Sequence, residues 1–206
     1  MLKVWGRITS INVLKVVWTI RELGLPFERV DVGGAFGGLD TPGYGALNPN
    51  RRIPTLDDDG FILWESNAIV RYLAARYGAG SLWPEDPRER GLSDRWMEWQ
   101  NVEFSPAMVP AFMQLIRTPP EKRNQAAIEQ SVARAAQVAM VLEQSLAGQD
   151  HVGGSRFTMG DVVAGCAVDR WLGLPIEHPH VPNIRAWHER ISARPSAQGL
   201  LKQPLQ

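Results

Sequence analysis

Apolar and polar positions divide the chain into an opening stretch of mixed periodicity and a long helical remainder. From Leu2 to Gly6 the residues alternate around Lys3 and are rich in strand formers, a period of two that predicts a strand. Val13, Val16, Val17, Ile20 and Leu23 then recur at helical spacing, so a helix is expected over 11–23. Gly24 stands where a helix C-terminal glycine belongs, and Pro26 blocks continuation. Phe27 to Val32 reads as a second strand, which makes the opening β-α-β and implies a parallel pair with a right-handed crossover. Gly33–Gly38 is a glycine-rich loop, and Thr41-Pro42 opens a short helix. Arg52–Leu56 predicts a third strand, Asp57–Gly60 a turn, and Phe61–Trp64 a fourth strand, close enough to form a hairpin. Glu65–Tyr77 places Ala68, Ile69, Tyr72 and Leu73 on one helical face and is ended by Gly78 and Gly80.

The order β-α-β-α-β-β-α is the thioredoxin-like arrangement. The expected organisation is therefore a thioredoxin-like domain over 1–78, a linker over 79–87 and an all-helical bundle over 88–206. In the second domain, residues 88–117 predict one long helix carrying Leu92, Trp96, Trp99, Met108 and Phe112. Pro106 and Pro110 must kink or break it, because each removes a backbone donor. Pro119-Pro120-Glu121 is expected to start the next helix, which runs to about Ala147. Two further helices are expected over 158–173 and 184–193.

Charge and composition narrow the function. Among 206 residues, 22 Lys and Arg balance 22 Asp and Glu, which leaves no broad electrostatic attraction to nucleic acid or an anionic membrane. No apolar run approaches the roughly 20 residues needed to span a bilayer. The N-terminus lacks a signal-peptide core, and the one cysteine, Cys166, excludes an internal disulfide. A cytoplasmic location is expected, with Cys166 as a small buried hydrophobe. His151, His178, His180 and His188 lack metal-ligand spacing, so no metal is expected. The glycines at 33, 34, 37 and 38 lack the following Lys-Ser/Thr of a phosphate loop. Thr158-x-x-Asp161 is a capping box expected to serve folding.

Ser10 falls at the junction of the first strand and first helix. A serine there is either a helix cap or a hydroxyl beside the positive helix end, where backbone amides favour an anion. Thr9 and Asn12 share that junction. The stretches Trp5-Gly6-Arg7-Ile8-Thr9-Ser10-Ile11-Asn12, Asn48-Pro49-Asn50-Arg51-Arg52-Ile53-Pro54-Thr55-Leu56, Glu65-Ser66-Asn67-Ala68-Ile69 and Phe157-Thr158-Met159-Gly160-Asp161 give the chain its resemblance to the cytosolic glutathione transferases over nearly its full length. It looks closest to the serine-type and bacterial Ser/Thr-x-Asn-type members. The resemblance implies a homodimeric enzyme that adds glutathione, as co-substrate, to hydrophobic electrophiles.

What the resemblance implies can be placed residue by residue. Ser10 would ionise the glutathione thiol, with Asn12 as a second donor and Thr9 as a third candidate. Pro54 would be cis, turning the Ile53 amide and carbonyl outward to pair with the cysteinyl unit. Ser66 would hold the γ-glutamyl carboxylate at a helix N-terminus, and Glu65 would accept from the γ-glutamyl ammonium. Arg52 is the partner for the glycyl carboxylate, with Arg51 as the alternative. Relatives often carry glycine at position 51 and proline at position 8, where this chain has Arg51 and Ile8. The second substrate is expected between the domains, against Ile11, Phe104, Met108 and Phe112, with Trp171 a further wall. Two other functions fit the same scaffold: glutathione-dependent reduction of disulfides or peroxides, and a non-catalytic glutathione-binding module.

Overall fold

The computed structural model describes residues 1–205. The chain divides into two compact units, Met1–Trp83 and a second beginning at Pro84. The first is built on four strands, β1 (Leu2–Trp5), β2 (Phe27–Val30), β3 (Thr55–Asp58) and β4 (Phe61–Trp64), in the order β2-β1-β3-β4. β1 runs parallel to β2 and antiparallel to β3, and β3 pairs antiparallel with β4. This is the thioredoxin-like sheet. Between the strands lie α1 (Ile11–Glu22), a 3₁₀ turn (Gly34–Phe36) and α2 (Pro42–Leu47), and α3 (Ser66–Tyr77) follows β4.

The buried face of α1, with Val13, Val16, Val17 and Ile20, meets Ile69, Val70 and Leu73 of α3 in an apolar core. Several boundaries differ from the sequence reading: β2 ends at Val30 rather than Val32, and both ends of β3 are displaced. β3 begins at Thr55, after the proline, because residues 52–54 take a non-strand course ahead of the sheet. Its far end runs through Asp57 and Asp58, which pair with Ile62 and Phe61. The turn is thus only Asp59-Gly60, with φ of 50° and 93°, the paired positive angles of a tight hairpin in which glycine bears no Cβ penalty. The acidic run obscured that two-residue turn.

The second unit contains α4 (Pro87–Trp99), α5 (Ser105–Phe112), α6 (Gln125–Ser145), α7 (Met159–Leu172) and α8 (Pro182–Ser192). The expected long helix is present, and its prolines do not break it. π-helical segments at Gln100–Phe104 and Met113–Arg117 flank α5. The Ser105 amide donates to the Gln100 carbonyl, five residues back, so the helix widens immediately before Pro106. Helix α6 starts later than expected. Pro120–Lys122 forms only a 3₁₀ turn, and Asn124 is the cap, its side chain accepting from the Ala127 amide.

Asp161 is the buried organiser of this unit. Its carboxylate accepts from the Thr158 amide (2.9 Å), the Val152 amide (3.0 Å) and the Trp187 indole (2.9 Å). The capping box therefore also ties α8 and the preceding loop to α7. Gly160 lies against α4, where a Cβ would meet the Ser93 carbonyl at 2.5 Å, so only glycine permits that approach. No described helix is long and apolar enough to cross a membrane.

Candidate glutathione site

Strand register brings the candidate residues of the first unit to one end of its strands. Trp5 pairs with Val30 and with Thr55, and Thr55 pairs with Trp64. The segments Gly6–Ser10, Ile53–Pro54 and Glu65–Ser66 each continue directly from one of these residues. Gly6 and Ile53 are in close approach: a Cβ on Gly6 would lie 3.2 Å from that of Ile53. Three stretches far apart in sequence thus emerge side by side, with the N-termini of α1 and α3 at the same end.

Ser10 is the N-cap residue of α1, in extended conformation (φ −82°, ψ 124°), and its side chain makes no cap hydrogen bond. The half-buried Ser10 hydroxyl therefore sits at the positive end of α1 outside the capping pattern. Asn12 is exposed in the first turn. Thr9 is engaged through its hydroxyl, which accepts from Nη1 of Arg7 at 2.8 Å.

The Ile53–Pro54 peptide is cis, as the resemblance implies. Its setting depends on two residues that sequence reading missed. The Tyr44 hydroxyl donates to the Arg52 carbonyl (2.7 Å) and lies 3.0 Å from the Thr55 hydroxyl. Asn48 Nδ2 donates to the same carbonyl (2.8 Å) and to the Thr55 hydroxyl (3.2 Å). Together they clamp both ends of residues 52–55. Asn48 precedes Pro49 in the sequence, but spacing alone does not indicate which carbonyl its side chain reaches.

The two arginines differ in what they hold. Nη1 of Arg51 donates to the carbonyls of Leu39 (2.9 Å) and Thr41 (3.1 Å), fastening the start of α2. Arg52 is exposed and only its carbonyl enters the clamp.

Ser66 opens α3 and is 6% exposed. Glu65, its N-cap, is exposed, holds φ at 71° and makes no side-chain cap bond. A non-glycine residue in that region costs about 1–3 kcal/mol, and such strain concentrates where a side chain must be presented. Below α3, the ammonium of Lys15, only 2% exposed, donates to Oδ1 of Asn67 at 3.1 Å.

This geometry meets independent likenesses to known proteins. The family model for the glutathione S-transferase N-terminal domain matches residues 1–75, and that for the C-terminal domain matches residues 104–195. Glutathione S-transferase GstB of Escherichia coli is 38% identical over 207 residues, covering all of both chains. The chain belongs to the glutathione S-transferase family of enzymes. Glutathione S-transferase 3 of Zea mays is 33% identical, over 96% of this chain and 91% of its own. The theta class glutathione S-transferase of Xanthomonas axonopodis pv. citri, solved with glutathione bound, superposes with a TM-score of 0.96 at 42% identity, over 100% of this chain and 99% of that one.

The apolar candidates of the helical unit are buried. Phe104, Met108 and Phe112 are 0%, 1% and 5% exposed. Phe104 stacks on Trp99 and meets Trp171 edge-on, while Arg170 lies over the Phe112 ring. The large apolar side chains this helical run leaves exposed include Leu92, Val102, Val109 and Met113. Ile11 is half-buried beside Ser10. Among the described residues, no group of three or more His, Cys, Asp or Glu side chains is arranged to hold a metal ion.

Proposed function

We propose that the protein is a glutathione transferase that ionises the glutathione thiol with Ser10 at the N-terminus of α1 and adds the thiolate to hydrophobic electrophiles. The observation that carries this reading is the convergence of the segments bearing Ser10, Ile53 and Ser66 at one end of the sheet, with the Ser10 hydroxyl outside any cap bond. A free thiol titrates near ~8.5, so lowering that value by about two units requires about 2.7 kcal/mol of preferential thiolate binding. A charge-assisted hydrogen bond of about 1.5–3 kcal/mol, aided by the helix end, is of that size. Asn12 is the second donor. The thiol proton leaves to solvent, sulfur bonds to the electrophilic carbon, and a leaving group such as halide departs with its electron pair.

Arg52 is assigned to the glycyl carboxylate, because Arg51 already serves the Leu39 and Thr41 carbonyls. The main chain at Ile53, turned by cis-Pro54, serves the cysteinyl unit. Glu65 and Ser66 take the γ-glutamyl end. Ile11, Phe104, Met108 and Phe112 are assigned to the electrophile. Cys166 is buried in α7, so disulfide chemistry on this scaffold would run on glutathione alone.

Ser10→Ala and Asn12→Ala are expected to cut turnover of an aryl halide by at least about tenfold for Ser10, with unchanged circular dichroism. Unchanged rates in both reject the site. Rates with a low-molecular-weight disulfide against the aryl halide separate transferase from reductase. Calorimetric binding of glutathione without a thiol pKa shift would instead indicate a binding module. Action as a homodimer in the cytoplasm belongs to the same reading, and sedimentation velocity tests the dimer.

A further inference from the structure

The helical unit carries a cleft that the glutathione reading does not use. Helix α4 packs mainly along α7, and α6 mainly along α5. Between α4 and α6 a cleft of about 250 Å³ remains, lined by Arg95, Trp96 and Trp99 of α4 and by Val141 and Ser145 of α6. Residues four apart on each helix share a face, so two short ridges border one groove. Sites for drug-sized ligands run from about 300 to 1,000 Å³, so this one suits a molecule of one or two rings.

The lining specifies the chemistry of an occupant. Trp99 stacks on Phe104, with centroids 4.8 Å apart and planes 14° apart, and meets Trp96 edge-on at 5.2 Å. Its half-buried ring is therefore a wall held in place before any ligand arrives. Across from it, Val141 is a large apolar side chain left exposed on α6. Trp96 is only 3% exposed, and its indole Nε1 is buried with no hydrogen-bond partner among the described residues. A buried donor without an acceptor costs free energy that an arriving oxygen returns. Arg95 is exposed, and its guanidinium lies 5.5 Å from the centre of the Trp96 ring. Arg134 and Arg156 of the same unit are ion-paired with Glu103 and Glu89, whereas Arg95 has no ion-pair partner among the described residues.

Arg95 is the one charged residue lining the cleft. A cationic ligand would be repelled by it, and a plain hydrocarbon would leave its fork of donors unused. An aromatic carboxylate meets both demands, since its ring covers the apolar wall and its oxygens match the guanidinium. We infer that the cleft between α4 and α6 binds a small planar aromatic carboxylate, with Arg95 as the anion partner, Trp96 Nε1 as a second donor, and Trp99 and Val141 as walls. None of the lining residues belongs to the proposed thiolate site or glutathione cradle, so this site stands apart from that reading.

The test is calorimetric titration of the full chain with naphthoate, with and without saturating glutathione, alongside its uncharged methyl ester. One saturable site per chain is expected, with the same affinity whether or not glutathione is present. The ester is expected to bind at least about tenfold more weakly, Arg95→Gln to weaken naphthoate at least about fivefold, and Arg95→Lys to recover only part of that loss. Turnover of an aryl halide by Arg95→Gln is expected to match wild type. In spectra of the labelled indoles, the Trp96 N–H signal, identified from Trp96→Phe, is expected to move on naphthoate binding. Should Trp96→Phe fail to fold, the ester and the two Arg95 variants decide alone. No saturable binding, an affinity that Arg95→Gln leaves intact, or displacement of naphthoate by glutathione overturns the site. Sedimentation velocity covers the other occupant: no naphthoate binding, together with weaker self-association of Arg95→Gln, would mean that a second copy fills the cleft and would equally overturn it.

Discussion

At Glu65, backbone strain and a ligand-facing role make opposite demands, and substitution can separate them. The residue holds φ at 71° with no cap bond to compensate. Glu65→Gly removes the Cβ clash of that conformation, worth about 1–2 kcal/mol, so the thermal midpoint is expected to hold or rise. The same variant loses the proposed acceptor for the γ-glutamyl ammonium, so KM for glutathione is expected to rise several-fold. Glu65→Ala is expected to raise KM equally without the stability gain. A drop in stability for the glycine variant would show that the carboxylate, not the backbone, holds the start of α3. The clamp at residues 52–55 gives a second residue-scale expectation. Asn48→Ala removes donors to both the Arg52 carbonyl and the Thr55 hydroxyl. KM for glutathione is expected to rise more than KM for the electrophile, measured by varying each substrate in turn. The positions of Ser10, Pro54 and Ser66 were legible in the sequence because each sits at a junction marked by a strand-to-helix or X-Pro signal. Tyr44 and Asn48 were not, since their partners are the Arg52 carbonyl and the Thr55 hydroxyl, reached only once the chain has folded back.

The helical run through Pro106 and Pro110 shows how an element keeps its continuity where prolines interrupt its ladder. Besides the π-helical widening, α6 contributes a side chain. The buried Ser131 hydroxyl accepts from the Ala111 amide (3.0 Å) and donates to the Ala107 carbonyl (2.5 Å). It stands between the two groups that would otherwise pair as i→i−4 partners, a known cause of helix bending. Ser131→Val removes the hydroxyl while its bulk keeps the ladder open, leaving a buried amide and carbonyl unpaired. A loss of about 1–3 kcal/mol in urea unfolding is expected. Ser131→Ala lets Ala111 and Ala107 approach and is expected to cost less. Equal stability of the valine variant and wild type would mean that the hydroxyl is dispensable to the helix. The sequence announced the prolines and the need for a distortion. It could not announce the remedy, because the hydroxyl comes from another helix. Likewise, the start of α6 was misplaced at Pro119 because proline at a first turn outweighed Asn124, whose cap bond is the one the chain uses. The Thr158-x-x-Asp161 box was legible because both of its partners are local, while its ties to Val152 and Trp187 are not.

Across the whole molecule, the two compact units carry different acid-sensitive groups, which gives their stabilities different dependences on pH. In the helical unit, burial and then the nearby Arg185 hold His178 below its ordinary value of 6.5. The folded state therefore disfavours the protonated ring. Its contribution is complete above about pH 6.5 and is lost as pH falls below that value. In the thioredoxin-like unit, burial alone would raise the Asp58 carboxyl. Hydrogen bonds from Tyr77 and Tyr72, at 2.7 Å each, and the Arg76 guanidinium outweigh it and hold the group below 3.8. That contribution is complete above about pH 4 and is lost only in stronger acid. At the alkaline end, burial and the hydrogen bond to Asp58 push Tyr72 up to about 12, so the neutral phenol favours the fold until pH passes 10. Acid is thus expected to loosen the helical unit first, as pH falls below 6.5, and the thioredoxin-like unit only below about pH 4. Urea midpoints measured against pH check this order. His178→Gln is expected to flatten the decline just below pH 6.5 without changing the acid limb, and Asp58→Asn to lower stability at pH 7 while flattening the limb below pH 4. A single transition with one pH dependence, shifted equally by both variants, would show that the units unfold as one cooperative body and that the separation of their titrating groups has no thermodynamic consequence.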